Sequence, residues 1–350
     1  MFKVSIIWWT NWFWKWLARY LLNNFWNDIS LTITWINIEK WNKVANKIWA
    51  KFSNDNIYSA SDSDIVIFSV PIWIMVDTIK TVWPHIKKWT IVLDVTSIKK
   101  QIVDAFEKYL DKDVIVIPTH PMFWPYISSI WWQIFVFTPS EKIKSNTNYI
   151  NIKKYLDKNW AKVIESTPEE HDKNMAIVQW LTHFDMFVLW ETIKKMWVDI
   201  KKTLSFVSPI YKILISSVSR YMYQDPKLYS DIQMHNTEIL NVHEAFTSSA
   251  IDINNNIKEK DEDWFINRVN EIWKYFWDNW EAWQLYTDKI IYMLWKQVDN
   301  IKNSIWKKVK LVNIYSWNEV IWTVKWFEND VISFDNWEEY DINKYDVNII

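Results

Sequence analysis

Two segments of the chain combine ionisable and hydroxyl side chains in a pattern suited to acid–base chemistry. The segment Asp94-Val95-Thr96-Ser97-Ile98-Lys99 follows an apolar run, and Pro118-Thr119-His120-Pro121 follows a second one. Ligands bind at the carboxyl ends of strands in open α/β sheets, so both segments are candidates for a site. His120 is the candidate base, because imidazole changes charge near neutral pH. The alternative is a histidine that only caps a polar loop.

A third segment matches a phosphate-binding turn when its tryptophans are compared with glycines. Trp8-Trp9-Thr10-Asn11-Trp12-Phe13-Trp14 lies between a strand pattern and a helical pattern. With glycine at the tryptophan positions it becomes G-G-T-N-G-F-G, a variant of the G-x-G-x-x-G fingerprint with Asn11 at the middle glycine. Backbone amides at the start of such a helix bind the pyrophosphate of a dinucleotide. The alternative is a plain structural turn.

The predicted cofactor is NADP or NAD. An acidic residue at the end of the second strand favours NAD, but here that strand ends at Thr34 without a carboxylate. Asn37, Lys40 and Lys43 favour NADP as acceptors of a 2′-phosphate, and they could equally form a solvated helix face. The predicted cofactor contacts lie in the turn and at two strand ends: Trp9, Thr10, Asn11, Trp12, Phe13, Trp14, Thr34, Val70 and Pro71.

The tryptophan content explains why the turn departs from the fingerprint. The chain has 30 tryptophans and no glycine in 350 residues, whereas glycine makes up about 7% of an average protein. The tryptophans are spread along the chain at turns and helix ends, as at Trp160 and Trp337, and do not cluster as on an aromatic binding surface. We interpret most of them as occupying glycine positions. Trp16 is an exception, because no turn is needed there.

These tryptophans predict that the chain as written is impaired. A left-handed backbone costs a non-glycine residue about 1–2 kcal/mol, and a large side chain forced into a packed site costs about 1–3 kcal/mol more. About twenty or more such positions would exceed the roughly 5–15 kcal/mol by which proteins are stable. Indoles in the turn also occupy the place of the pyrophosphate, so we expect NAD(P) to bind weakly or not at all.

Composition narrows the class of protein. The formal net charge is −2 with both signs interspersed, which gives no electrostatic case for nucleic acid or an anionic membrane. The absence of cysteine excludes disulfides and thiolate metal sites, and no metal is expected. A strand pattern begins at Val4 and leaves no room for a signal peptide, and polar residues interrupt the apolar stretch Met175–Leu189. We therefore expect a cytoplasmic protein.

Residues 1–150 alternate short apolar runs with helical patterns, which predicts an α/β Rossmann domain with a parallel sheet. The predicted strands are Val4–Ile7, Ile29–Thr34, Ile65–Val70, Ile91–Val95, Val114–Pro118 and Ile134–Thr138. Helices are predicted at Lys15–Asn24 and Ile38–Ile48.

The pattern changes twice in the rest of the chain. Residues 151–304 predict an all-α domain with helices at Glu170–Lys195, Pro209–Tyr223, Asp231–Lys260 and Asp263–Asn303, the last broken near Asp278. Residues 305–350 alternate again and predict a small β module with strands at Lys308–Tyr315, Val320–Phe327, Val331–Phe334 and Glu339–Ile342.

Together the motifs resemble prephenate dehydrogenase of the archaeal type. The nucleotide turn, the segment 94–99 and the segment 118–123 carry the resemblance. In the helical part it is extended by His171-Asp172, Gln179–His183, Arg220, Asp225-Pro226 and Asp231-Ile232. The resemblance covers about residues 1 to 290. The chain departs from the family at the tryptophans of the turn and at Trp124, Trp131, Trp132 and Trp180.

The resemblance implies a dimeric enzyme of tyrosine biosynthesis, with the helical domain forming the homodimer. It implies oxidative decarboxylation of prephenate to 4-hydroxyphenylpyruvate with NAD(P) as hydride acceptor. His120 would act as the base on the ring hydroxyl, and Ser97 would bond that hydroxyl or orient the imidazole. Arg220 would bind a substrate carboxylate, and His183 would contact the substrate.

Alternatives stay open for these residues and for the function. His183 could be a core histidine, Arg220 a surface partner of Asp225, and His171 a helix cap. The chain could use arogenate in the same chemistry, or could be another NADP-linked reductase such as the deazaflavin-dependent type. The histidine–proline loop and Arg220 argue against that second enzyme. The tryptophans also fit a catalytically inactive, altered scaffold.

Overall fold

Strands and helices alternate along the first part of the chain and form a mostly parallel sheet. The computed structural model describes residues 1–8, 12–35, 45–46, 48–111, 113–123, 127, 129–222, 225–276, 280–313, 318–328 and 330–349. Within that set, only the backbone is described for Trp8, Trp12, Trp14, Leu204, Arg220 and Met222. The described residues divide into two units, each treated separately: Met1–Asp199 with Ser216–Ser249, and Ile200–Ile215 with Ala250–Ile350.

The first unit contains an eight-stranded sheet in the order β3-β2-β1-β4-β5-β6-β7-β8. Its strands are β1 (Phe2–Trp8), β2 (Ile29–Thr34), β3 (Lys51–Ser53), β4 (Ile65–Ser69), β5 (Ile91–Asp94), β6 (Ile115–Pro121), β7 (Ile134–Phe137) and β8 (Lys162–Glu165). The strands from β3 to β6 pair in parallel, whereas β7 runs antiparallel to β6 and parallel to β8. The order reverses at β1, which lies between β2 and β4.

Helices alternate with these strands, and further helices follow β8 along the chain. The helices up to residue 195 are α1 (Trp12–Phe25), α2 (Asn56–Ser61), α3 (Ile72–Val82), α4 (Lys100–Tyr109), α5 (Glu141–Lys144), α6 (Thr147–Lys158), α7 (Pro168–Met175) and α8 (Thr182–Lys195). The later helices are α9 (Ile200–Thr203), α10 (Pro209–Met222), α11 (Pro226–His235), α12 (Ile239–Glu259), α13 (Glu262–Phe276) and α14 (Trp280–Lys302). Short 3₁₀ turns occur at Trp83–His85, Leu204–Phe206 and Ile342–Lys344.

The predicted Rossmann sheet is confirmed, with differences at three places. Strand β6 continues past Pro118, so His120 lies inside a strand and opposite Val136 of β7, not in a loop after the strand. The antiparallel pairing with β7 keeps the backbone extended there. Strands β3 and β8 lie where no strand was predicted. The predicted helix Ile38–Ile48 falls largely outside the described residues, which omit 36–44 and 47.

The helical part follows the predicted pattern with two interruptions. The predicted helix Glu170–Lys195 contains a π-helical stretch at Ala176–Leu181 between α7 and α8. The predicted helix Asp231–Lys260 breaks at Asn236, whose side chain accepts from Glu238 N at 2.9 Å and donates to Asp172 O at 3.0 Å. No helix in the described part of the chain is long and apolar enough to cross a membrane.

The main core of the first unit packs α3 and α4 against the sheet. It contains fully buried Phe68 of β4 and Met75 of α3, and extends to the buried Trp180 of the π-helical stretch. The Trp180 Nε1 has no hydrogen-bond partner among the described residues, although it is buried. An indole donor left unpaired in an apolar core is the expected result of tryptophan at a position that a smaller residue would fill.

The tail of the chain forms a separate antiparallel sheet. Its strands are β9 (Lys308–Asn313), β10 (Glu319–Glu328), β11 (Val331–Phe334), β12 (Glu339–Asp341) and β13 (Tyr345–Ile349), in the order β12-β11-β10-β9-β13. The predicted β module is therefore confirmed, and β13 is an additional strand. Buried apolar side chains such as Leu311, Val324 and Phe334 form its core. The part of the predicted first strand beyond Asn313 lies outside the described residues.

The backbone supports the interpretation that tryptophan stands at glycine positions. Nine described residues have a positive φ, and seven of them are tryptophans: Trp49, Trp89, Trp132, Trp160, Trp197, Trp306 and Trp337. Their φ values of 51° to 68° lie in the left-handed region that glycine adopts without steric cost. Trp16, the predicted exception, lies inside α1 and is absent from this set.

We expect glycine at these positions to stabilise the protein. Trp89 and Trp160 are 70% and 71% exposed, so their replacement removes backbone strain and little packing. Trp89→Gly and Trp160→Gly should each raise the free energy of unfolding by about 1–2 kcal/mol in urea titrations. The matched control is Trp273→Gly in α13, also largely exposed, which should lower it by about 1 kcal/mol. The same sign in all three variants would contradict the interpretation.

Candidate functional site

The carboxyl ends of β4, β5 and β6 bring the predicted polar segments together. Phe68 pairs with Asp94, and Asp94 pairs with Pro118, so these three residues are aligned across the three strands. Thr119 N donates to Asp94 Oδ1 at 3.2 Å, and Thr119 Oγ1 donates to Asp94 O. The segments after β5 and at the end of β6 therefore form one edge of the sheet, as the sequence predicted.

Asp94 and Lys99 form a buried ion pair at this edge. Lys99 Nζ lies 2.5 Å from Asp94 Oδ2, and both side chains are 0% exposed. Thr96 N donates to the same oxygen at 3.0 Å, and the Thr96 hydroxyl donates to it as well. Burial lowers the pKa of Lys99, and the attraction of Asp94 opposes that shift. Because removing one partner of such a pair leaves an uncompensated buried charge, the pair holds this edge in one arrangement.

Asp172 ties the start of α4 to α7. Its Oδ1 accepts from Lys99 N at 2.8 Å and its Oδ2 accepts from Lys100 N at 2.9 Å. A carboxylate at a helix N-terminus satisfies backbone donors that have no partner within the helix and interacts favourably with the helix dipole. The preceding residue, His171, is thereby held against the carboxyl edge of the sheet.

His120 and His171 are in direct contact. His120 Nδ1 lies 2.9 Å from His171 Nε2, and His171 Nδ1 lies 2.7 Å from Asp172 Oδ1. The two histidines are 5% and 2% exposed. Burial lowers the pKa of His120 well below the usual value for histidine, and His171 and Lys99 lower it further. Burial also lowers the pKa of His171, against the opposing effect of Asp172. At neutral pH both imidazoles are therefore uncharged.

The other predicted catalytic and substrate residues occupy two further places. Ser97 is partly exposed on the bend between β5 and α4, and its hydroxyl has no hydrogen-bond partner among the described residues. His183 of α8 is buried among aromatic rings, with centroids 4.8 Å from Tyr221 and 5.3 Å from Tyr229. Arg220 precedes Tyr221 in α10, and its side chain lies outside the described part.

The surroundings of His183 leave polar atoms unpaired. Burial lowers the pKa of His183 to about 4, so its ring is neutral at physiological pH. Its Nδ1 and the Tyr229 hydroxyl are both buried without a hydrogen-bond partner among the described residues. Buried polar atoms of native proteins are almost always paired, so two unpaired ones side by side fit groups that meet a ligand. Within the described residues, no hydrogen bond or ring contact joins this cluster to His120.

The predicted cofactor residues that the structure describes lie around the reversal of strand order. Thr34 is fully buried at the end of β2, and its hydroxyl donates to Ile6 O at 3.5 Å. Val70 and Pro71 follow β4, directly beside β1. Trp9, Thr10 and Asn11 lie outside the described residues, and for Trp12 and Trp14 only the backbone is described. The first turn of α1 carries no acidic residue, which suits an anionic group at this helix N-terminus.

Aromatic side chains connect α1 to the segment that follows His120. The Phe13 ring, predicted to contact the cofactor, lies 5.8 Å from Phe123 and 5.4 Å from Trp16. Trp16 lies 4.9 Å from Phe123, and its Nε1 donates to Ile127 O at 2.8 Å. The indole N–H of Trp16 thus has a hydrogen-bond acceptor, whereas that of Trp180 has none among the described residues. Among the described residues, no group of three histidine, aspartate or glutamate side chains could hold a metal ion.

Sheet order, strand-end chemistry and the β1–α1 unit define a Rossmann-type nucleotide-binding protein. Two family models match the chain: prephenate dehydrogenase nucleotide-binding domain over residues 18–165, and prephenate dehydrogenase dimerization domain over residues 167–271. The chain belongs to the prephenate dehydrogenase family. This confirms the resemblance stated from the motifs.

Two curated relatives are similar over much of the chain. The probable arogenate/prephenate dehydrogenase of Methanocaldococcus jannaschii is 40% identical over 298 residues, covering 85% of this chain and 66% of that protein. The T-protein of Haemophilus influenzae is 29% identical over 223 residues, covering 62% of this chain and 56% of that protein. The chain thus matches less than two thirds of the length of each relative.

Solved structures share the fold at low sequence identity. Prephenate dehydrogenase from Aquifex aeolicus, in complex with hydroxyphenyl propionate and NAD+, superposes with a TM-score of 0.61 and 20% identity, over 78% of this chain and 96% of that one. Synechocystis arogenate dehydrogenase superposes with a TM-score of 0.58 and 16% identity, over 79% of this chain and 99% of that one.

The sequence interpretation missed the role of one residue at this site. It assigned His171 at most to a helix cap, but Thr167 is the cap of α7, since its hydroxyl accepts from Glu170 N at 3.1 Å. The His171 side chain is instead bonded to His120 and Asp172. A His-Asp pair early in a helix is the only signal in the sequence, and it does not identify a partner 51 residues away.

Proposed function

We propose that the chain has the catalytic apparatus of an NAD(P)-dependent prephenate dehydrogenase. The proposal rests on the position of His120, a neutral and buried histidine at the carboxyl edge of a Rossmann sheet. Its pKa lies below the ordinary value, so it is available as a base at neutral pH. Membership of the family and the names of the relatives supply the substrate class.

The described residues fit a dinucleotide in the expected place. The N-terminus of α1 faces no acidic side chain from its own first turn, and Val70 and Pro71 lie at the reversal of strand order, where ligands of open α/β sheets bind. When bound, the nicotinamide accepts a hydride from the ring carbon that carries the hydroxyl. We propose either NADP or NAD as the cofactor, because Thr34 ends β2 without a carboxylate.

The chain supplies the proton transfer and the carboxylate contacts. His120 Nε2 takes the proton of the ring hydroxyl as the hydride leaves the same carbon. Loss of the ring carboxylate as carbon dioxide leaves its electron pair in the ring, which becomes aromatic, and the proton returns from His120 to the oxygen. Ser97 is proposed to bond the hydroxyl or orient the imidazole. Arg220 is proposed to bind a substrate carboxylate and His183 to contact the substrate.

Arogenate is the second candidate substrate. Its ring undergoes the same chemistry, and it differs in carrying an amino group where prephenate carries a keto group. The names of the archaeal relative and of the Synechocystis structure support keeping it. A catalytically inactive scaffold is the third candidate, supported by the tryptophans of the nucleotide turn.

We also propose a three-domain, dimeric and cytoplasmic protein. The domains are the Rossmann domain, predicted at residues 1–150 and here extended to include β8, the helical domain up to residue 304, and the β module from 305 to 350. The extension follows from the pairing of β8 with β7. The match to a dimerization domain supports a homodimer with a partner of the same sequence. A small-molecule substrate is proposed, with no nucleic acid, membrane or metal.

The tryptophans of the turn should limit nucleotide binding. We define the turn variant by four replacements with glycine, at Trp8, Trp9, Trp12 and Trp14. An indole in place of a close backbone–phosphate approach costs about 1–3 kcal/mol, so the turn variant should bind NADP or NAD up to about 100-fold more tightly in calorimetry.

A second set of replacements serves as the control for this prediction. Glycine at four positive-φ positions outside the turn relieves backbone strain without touching the nucleotide site: Trp49, Trp89, Trp160 and Trp197. That variant should be more stable and should bind nucleotide no better than the unaltered chain. Micromolar binding by the unaltered chain would show that the turn tolerates the indoles.

The function itself is tested by two substitutions in the turn variant. His120→Asn should lower kcat for prephenate by about 10²–10⁴, because the imidazole acts on charge that develops in the transition state. Arg220→Ala should mainly raise KM, because a carboxylate contact is made in the ground state as well. Reduction of NADP or NAD is followed by absorbance. Unchanged kcat in His120→Asn would place the base elsewhere.

A further inference from the structure

A continuous hydrogen-bonded chain leads from a helix-capping carboxylate to the proposed base. Asp172 Oδ1 lies 2.7 Å from His171 Nδ1, and His171 Nε2 lies 2.9 Å from His120 Nδ1. The rings of the two histidines are 67° apart in plane, an edge-to-face arrangement. His171 thus has both ring nitrogens committed to these hydrogen bonds, whereas His120 has one, Nδ1.

The hydrogen-bond acceptors in the series Asp172–His171–His120 determine where the protons lie. Asp172 accepts hydrogen bonds from two backbone amides, Lys99 N at Oδ1 and Lys100 N at Oδ2. Both of its oxygens therefore act as acceptors, as in an ionised carboxylate. The hydrogen between Asp172 and His171 therefore belongs to His171 Nδ1. Burial keeps His171 neutral, so its Nε2 carries no hydrogen and acts as an acceptor. The hydrogen between the two histidines then belongs to His120 Nδ1, and His120 Nε2 is left with a free lone pair.

We propose that His171, anchored by Asp172, is a positioning residue that holds His120 in the tautomer whose Nε2 accepts the substrate proton. This inference rests on the proposed role of His120 as the base. His171 is proposed to contact neither substrate nor cofactor and to act only through His120. A histidine with the hydrogen on Nε2 would donate to the ring hydroxyl and could not take its proton.

The same hydrogen-bonded relay, from His120 through His171 to Asp172, stabilises the positive charge that His120 acquires. When His120 Nε2 takes a proton, its Nδ1–H becomes a stronger donor to His171, and the negative Asp172 lies at the far end of the relay. The buried Lys99 and the second imidazole face His120 as well and disfavour its positive charge. The relay to Asp172 therefore offsets part of the cost of protonating a buried imidazole next to a lysine.

The helix caps in this region form without the imidazole of His171. Thr167 caps α7, and the Asp172 carboxylate caps α4 without any contribution from the His171 ring. His171 N donates to Thr167 O at 2.9 Å, a contact that any residue with a backbone amide makes. The imidazole of His171 thus makes its hydrogen bonds only to His120 and Asp172 among the described residues.

The tautomers can be measured directly in the unaltered chain, independently of activity. The chain has six histidines, so ¹⁵N-histidine labelling gives a small set of long-range ¹⁵N–¹H NMR patterns, assigned by single replacements. We expect His120 and His171 both to show a protonated Nδ1 and a bare Nε2. In His171→Leu, His120 should lose this fixed pattern. A hydrogen on Nε2 of His120 in the unaltered chain would overturn the proposal even if His171→Leu failed to fold.

Kinetics of the turn variant provide the second test. His171→Leu removes the acceptor and should lower kcat by about 10- to 100-fold, the usual effect of losing a partner that orients a histidine, with little change in KM. His171→Gln keeps an acceptor oxygen and should recover most of kcat. Unchanged kcat in His171→Leu, in a background where His120→Asn lowers it, would refute the positioning role. If His120→Asn has no effect, the proposed function fails and the NMR result alone decides the tautomer.

Discussion

The carboxylate of Asp172 is the constraint on which this site depends. It accepts two backbone amides at the start of α4 and one imidazole from its own helix, so three donors from two elements converge on one side chain. Charge-assisted hydrogen bonds of this kind are shorter and stronger than neutral ones. The arrangement brings α7 to the carboxyl edge of the sheet and sets the distance between His171 and His120.

A second buried interaction, between Asp94 and Lys99, holds the carboxyl end of β5 in place. Its desolvation cost is high, so it adds little net stability, but breaking it would leave a lone charge in the core. It couples the end of β5 to the end of β6 through Thr119. The two carboxylates thus serve different purposes, since Asp94 neutralises a buried cation while Asp172 orders backbone amides and an imidazole.

Much of the fold could be predicted from the sequence, because buried parallel strands are apolar runs whose length and spacing are visible, as for β2 at Ile29–Thr34. The extension of β6 through His120 could not, since it arises from antiparallel pairing with a strand further along the chain. The contact between His120 and His171 depends on tertiary packing in the same way. The positive φ at Trp160 and Trp337 was foreseeable from their positions at a helix end and a turn, whereas the π-helical stretch at Trp180 was not.

The role of Asp172 is tested by the turnover of Asp172→Asn in the background with glycine at residues 8, 9, 12 and 14. An amide nitrogen at the Oδ1 position leaves Lys99 N and His171 Nδ1 without an acceptor, and one at the Oδ2 position leaves Lys100 N without one. In either orientation the negative charge that stabilises protonated His120 is lost. We expect a folded protein with a lower free energy of unfolding and kcat reduced by about 10-fold or more. The matched control, Asp104→Asn on the exposed side of α4, should keep full turnover. Full turnover in Asp172→Asn would show that this carboxylate does not support His120.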